Sequence, residues 1–160
     1  MALVEPGRPS NALAELIDDL VADVEVPTIT VPVPNKPGWE LVCMPVITAE
    51  QRKRWTKQSR NREWKPTDPE IFALDQEAFN ATIVAETCVA ILRNGAPVRD
   101  ELGEDVTFSS EWLHRAVGKR VTHVELVRLF FRNESHIADA ASAIAEAAAK
   151  PVPTAASSTS

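Results

Sequence analysis

The chain has no tyrosine, five glycines and two cysteines among 160 residues, and no long apolar run. Each shortage removes a class of protein. A bilayer-crossing helix takes about 20 consecutive apolar residues, so no membrane association is expected. The glycines are scattered, and none forms a Gly-rich turn ahead of a helix that would cradle a phosphate. Cys43 and Cys88 lack a Cys-x-x-Cys spacing, which argues against a redox motif or disulfide scaffold and predicts reduced, buried thiols. Residues Met1 to Gly7 show no basic start followed by a long apolar stretch. No secretory signal is therefore expected, and the chain reads as cytosolic.

What is present is an ordinary soluble composition, 44% hydrophobic and 25% charged, and 17.5 kDa is the size of one domain. A net charge of −6 opposes non-specific adhesion to nucleic acid by the molecule as a whole. The charge is banded. Residues 1–35 carry six acids against Arg8, and residues 50–65 carry seven cations against Glu50 and Glu63. Residues 66–111 swing back with ten acids against Arg93 and Arg99. Such bands either neutralise one another on folding or steer a charged partner.

The pattern along the chain predicts a mainly α protein: a compact helical domain with a small N-terminal β-hairpin and a disordered C-terminal tail. Ser10 is a good N-cap for a helix whose Leu13, Leu16, Ile17, Leu20, Val21 and Val24 form one apolar stripe opposite Glu15, Asp18 and Asp19. Residues 26–34 alternate β-branched residues with prolines, as an edge strand does. Asn35 to Gly38 reads as a turn, and Trp39 onward as the returning arm. Thr48 and Gln51 fit a capping box for a short basic helix to about Arg60. Thr67 to Glu70 reads as the next helix start. From Ile71 to Asn94 no Gly or Pro intervenes, which predicts one central helix of about 24 residues, roughly 36 Å long, stopped by Gly95. On it Phe72, Phe79, Ile83, Cys88, Ile91 and Leu92 recur on a helical period.

Residues 98–108 read as acidic and irregular. Ser109 or Ser110 caps a helix from Glu111 that Gly118 ends, and Thr122 with Glu125 suggests another capping box. Ser135 starts an Ala-rich helix with only Ile137 and Ile144 as sizeable anchors, for which weak docking or independent movement is expected. The resulting divisions are an N-terminal amphipathic helix (1–25), a hairpin plus helical core (26–134), the Ala-rich helix (135–150) and a disordered tail (151–160).

No spacing forces catalytic side chains together. His114, His123 and His136 fall on three different predicted helices, without a His-x3-His pair or neighbouring cysteines for a zinc shell. Ser109-Ser110 lacks the Gly-x-Ser-x-Gly elbow, and burial of Cys88 in an apolar helix would raise its thiol pKa, contrary to a nucleophile's need. Asp75 and Glu86 are about three turns apart on the predicted helix, too far to share a proton. No catalytic residue, metal or cofactor is expected. The basic segment is the strongest candidate: Arg52, Lys53, Arg54 and Lys57 with Trp55 and Trp64 suit phosphates and bases. The plainer reading of them is a solvated face whose cations meet the acidic band at 66–111, with the tryptophans as core anchors; a protein partner comes next, ahead of nucleic acid. Trp39, Trp112, Phe130 and Phe131 read as core.

Taken in order, the Pro-rich hairpin, Ile47-Thr-Ala-Glu-Gln-Arg-Lys-Arg-Trp, the stretch from Ala78 to Ile91, Ser109-Ser-Glu-Trp-Leu, Val124-Glu-Leu-Val and the Ala/Pro/Ser/Thr tail resemble tail assembly chaperones of long-tailed bacteriophages of actinobacterial hosts. The resemblance covers roughly residues 26–135 and is one of layout, without a signature of invariant chemistry. It implies a non-enzymatic, mostly helical protein of the host cytoplasm. Such a protein coats the tape-measure protein during tail morphogenesis and is absent from the mature virion. It also implies self-association and a longer frameshifted form of the same chain, extending from the tail after Lys150. Partner-binding residues expected on this reading are Arg52, Arg54, Trp55 and Lys57 on the basic segment, with Leu16, Leu20, Leu126 and Phe130 on the apolar stripes at 13–24 and 124–131. A virion head–tail, neck or tail component is one alternative. A small nucleic-acid-binding regulator using the 50–65 segment is the other, although the acidic balance makes nucleic acid an unfavourable partner.

Overall fold

Two turns set the β structure. Around Asn35 to Gly38 the chain reverses with Gly38 at φ +85°, and a Cβ there would collide with the Asn94 side chain. Asn94 and Gly95 follow at φ +51° and +81°, the two left-handed residues of a tight two-residue hairpin. In the computed structural model, which describes residues 11–21, 27–117 and 121–150, these turns build one antiparallel sheet in the order β1 (Ile29–Pro32), β2 (Trp39–Cys43), β3 (Cys88–Arg93) and β4 (Ala96–Pro97). The helices are α1 (Asn11–Val21), α2 (Ala49–Gln58), α3 (Gln76–Thr87), α4 (Glu111–Ala116), α5 (His123–Phe131) and α6 (Glu134–Ala149), with a 3-10 turn at Glu70–Phe72. The expected cap at Ser10, the stop at Gly118 and the tail 151–160 lie outside the described residues.

The fold is mixed α/β, with 50% of the described residues helical and 16% in β structure, which corrects the mainly α expectation. The error lies in the stretch from Ile71 to Asn94. Its helix begins only at Gln76, capped by the Asp75 carboxylate, which accepts from the Ala78 N–H at 3.2 Å. It ends at Thr87, and Cys88 is already extended at φ −66°, ψ 123°. From there β3 pairs along its length with β2, Leu41 opposite Ile91 and Trp39 opposite Arg93. Backbone bonds to β2 replace those of the helix, and β-branched Val89 and Ile91 suit the pleat. Gly95 therefore closes a hairpin instead of stopping a helix. Phe72, assigned by periodicity to the long helix, is 60% exposed on the 3-10 turn.

The other helix starts follow local expectations in part. Thr48 and Gln51 complete a reciprocal capping box at α2. Thr122 accepts from the Glu125 N–H at 3.1 Å, half of the box expected there. Ser110 occupies the N-cap of α4, yet its hydroxyl accepts from Thr107 behind it. Asn133, rather than Ser135, caps α6 by accepting from the Ser135 and His136 N–H groups. Arg132 in the left-handed region makes the corner from α5 to α6.

One continuous core joins the inner face of the sheet to α2, α3, α5 and α6. α6 is anchored in it despite its small side chains, with Ile137 and Ile144 fully buried and Ala140 and Ala141 nearly so. Ala81, Val84 and Ala85 of α3 are buried in the same core, and short side chains on both helices let their backbones approach closely. Weak docking is thus not what this helix shows. At one end of the sheet, Phe130 stands edge-on to Trp39, Phe108 and Phe131 with centroids 5.6–5.8 Å apart, and Lys36 lies over its ring. Trp112, expected in the core, is 48% exposed.

Ile144→Ala is expected to cost about 2–5 kcal/mol, since it opens a cavity on the α6 side of the core. Asn133→Ala should cost about 1 kcal/mol through its lost cap. Urea unfolding of both variants measures the two.

Candidate partner-binding surface

Titratable groups do not converge. His114 sits with its two ring nitrogens 2.8 Å from the Val121 carbonyl and 2.7 Å from the Phe108 carbonyl, fastening α4 between its flanking segments. His123 faces Glu86 at 3.4 Å, joining α5 to α3. Arg128 reaches Glu134 at 2.9 Å and Glu77 at 3.8 Å, tying α5 to both neighbours. Among the described residues no three His, Cys, Asp or Glu side chains gather as metal ligands would. Asp75 is spent on a helix cap and Glu86 on His123, so they form no acid–base pair. The Cys88 thiol is held far above the ordinary thiol range, by its hydrogen bond to Cys43 and by burial.

The basic segment is divided by its helix. Trp55 faces inward at 1% exposure and is core, with its indole N–H buried and without a partner. Arg52, Lys53, Arg54 and Lys57 point to solvent on the rest of α2, followed by exposed Arg60, Arg62 and Lys65. None of these seven cations forms an ion pair among the described residues, so the acidic band at 66–111 does not neutralise them within the molecule. Trp64 is half-buried, its Nε1–H donating to the Pro69 carbonyl at 2.9 Å. Ile47 and Ala49 complete a shallow recess with Arg52 and Lys53.

The two apolar stripes part in the same way. That of α5 is interior: Leu126 is 5% exposed, Val127 and Phe131 are buried, and Phe130 is half-buried in the aromatic cluster. Of the expected partner-binding residues, Trp55 and Leu126 are therefore consumed by the core. The stripe of α1 is outward, with Leu16 at 52%, Ile17 at 45% and Leu20 at 74% exposure, flanked by exposed Glu15, Asp18 and Asp19.

A third surface was not visible in the sequence. Between edge strand β1 and α6 lies an open groove of about 520 Å³, floored by Ile29, Val31 and Ala140, with Ala143 and Ala147 along one wall. Its α6 side runs from His136 to Lys150, about 21 Å at 1.5 Å per residue. That is the length of a four-turn helix. Small side chains keep the wall shallow, while His136, Asp139, Glu146 and Lys150 place mixed charge along the rim. The signal in the sequence was the three- and four-residue spacing of Ala140, Ala143 and Ala147, meaningful only once β1 lies alongside.

The chain matches no protein-family model, no curated protein and no solved structure. Its surfaces must be interpreted from their own chemistry. No helix among the described residues is long and apolar enough to cross a membrane. What the arrangement offers is an acidic amphipathic helix with Leu16, Ile17 and Leu20 exposed, a basic helix face, and a groove of helical length. Each suits a polypeptide.

Changing Leu16 and Leu20 together to serine should leave the unfolding free energy from urea titration within about 0.5 kcal/mol of the parent, as surface substitutions do. Trp55→Ala should lower stability by about 3–5 kcal/mol. The contrast separates the surface half of the candidate set from the core half.

Proposed function

We propose that this chain is a non-enzymatic phage tail assembly chaperone that holds the tape-measure protein in the host cytoplasm and leaves before the virion is complete. The observation that carries the reading is the α1 stripe, whose Leu16, Ile17 and Leu20 stand in solvent. An amphipathic helix of this kind is covered by a partner when it works. The groove along β1 and α6 supplies a second, shallow contact suited to a helix of the tape-measure chain. Shallow apolar contact ringed by charge releases more readily than a deep pocket, which suits a temporary hold. The acidic flank of α1 and the unneutralised cations of α2 complement one another between copies, which supports self-association. A longer frameshifted form would carry the same surfaces.

The seven cations of residues 52–65, which form no ion pair among the described residues, favour one other reading, binding of nucleic acid. Against it stand the buried Trp55, which removes the stacking platform between the cations, and the net charge of −6.

Co-expression with the tape-measure protein should yield a complex that survives affinity purification. L16S/L20S and Ala143→Glu should each weaken it at least tenfold while remaining folded. Particles purified from the phage should lack the protein by mass spectrometry; its presence there would favour a structural tail component. Mobility-shift assays at low salt should show no retained DNA or RNA.

A further inference from the structure

Cys43 and Cys88 are 45 positions apart in the chain, yet the β2–β3 register sets them directly opposite each other. The Met44 N–H donates to the Thr87 carbonyl at 2.9 Å, a bond from the residue after one cysteine to the residue before the other. In an antiparallel ladder that bond flanks a non-hydrogen-bonded pair, the kind whose Cα atoms lie about 4.5 Å apart and whose side chains are closest. A disulfide spans roughly 4.4–6.8 Å between Cα atoms. Both side chains point to the same, inner face, where Cys43 is 0% and Cys88 6% exposed. The ladder shifts register between Val42 and Cys43. Such an irregularity bends the strand and re-aims the side chain beside it.

We propose that Cys43 and Cys88 form a reversible dithiol–disulfide site that closes on exposure to a small-molecule disulfide. The thiolate of one cysteine attacks a sulfur of the oxidant, forming a mixed disulfide and expelling the first small thiol. The second cysteine, deprotonated, attacks the protein sulfur of that mixed disulfide and expels the second small thiol. Two protein thiols thus become one disulfide, and the oxidant takes up the two electrons and two protons as two small thiols. The Cys88 thiol, 3.4 Å from the Ala90 carbonyl, lies against Cys43 and favours its thiolate, which eases loss of the first proton, from Cys43, and holds the second on Cys88. Burial makes entry of the oxidant depend on local opening of the sheet, so closure is slow. The loop it closes, 43 to 88, contains α2 and α3 whole. A disulfide would pin β2 to the point where α3 becomes β3 and hold the anchorage of α2 beneath it. This site is independent of the partner-binding reading.

The full chain, reduced and then incubated under native conditions with oxidised glutathione, tests it. After denaturation and alkylation, intact-mass analysis should show loss of two hydrogens and no alkyl group, with a linked peptide pair spanning Cys43 and Cys88. The melting temperature should rise on the order of 10 °C and return with dithiothreitol. Cys43→Ala and Cys88→Ala should each stop at a thiol or a single glutathione adduct and show no such rise. Two alkylatable thiols after prolonged exposure of the folded protein would overturn the proposal. So would stable glutathione adducts on the parent chain without ring closure.

Discussion

The pairing of β3 with β2 governs how everything else is placed, because it takes the chain out of the helix at Thr87 and turns a would-be rod into a layer. Had residues 76–93 continued as one helix, the β1–β2 hairpin would have had no third strand, and two strands alone are barely stable in water. With β3 in place, Leu41, Cys43 and Ile91 present one apolar face, and α3, α5 and α6 cover it. The switch is local as well. The Thr87 hydroxyl, buried at the last residue of α3, donates to the Ile83 carbonyl at 2.7 Å, and the Thr87 carbonyl, one of the acceptors a helix end leaves open, accepts from the Met44 N–H just past β2 at 2.9 Å.

Covering the sheet with small-residue helices has a second effect. Ala140 and Ala141 let α6 sit deep in the core, and the remaining alanines leave its outer face low beside β1. The groove is thus a by-product of how the core is closed. α1, in contrast, contributes none of its described side chains to that core. Its apolar side is held available at the surface, separated from the charged face of α2 by the hairpin in the chain order.

Local signals were legible where one or two neighbouring residues decide the backbone. The Thr48–Gln51 box, the Asn35–Gly38 reversal and the starts of α4 and α5 needed no distant contact. The long helix failed because residues 78–92 lack glycine and proline, and 81–91 are buried, apart from Glu86 and Val89, through both the helix and the strand, so neither period is imposed on them. The decisive mark was Asn94-Gly95, a hairpin turn that reads equally as a helix stop when the pairing strand is not considered. Trp55 had two readings, platform or anchor, and only its neighbours in the core choose between them. The β1–α6 groove and the Cys43–Cys88 pair depend on residues distant in the chain, which no local window brings together.

The outer margin of the sheet carries one more consequence. β1 is the terminal strand, and Pro27, Pro32 and Pro34 remove donor groups along and beside it. A second molecule that approached side by side would find gaps where a continuous ladder is needed, so strand-on-strand growth into fibres is interrupted at its first step. Crowding many copies into a small volume then leaves association to side chains, where it can be undone.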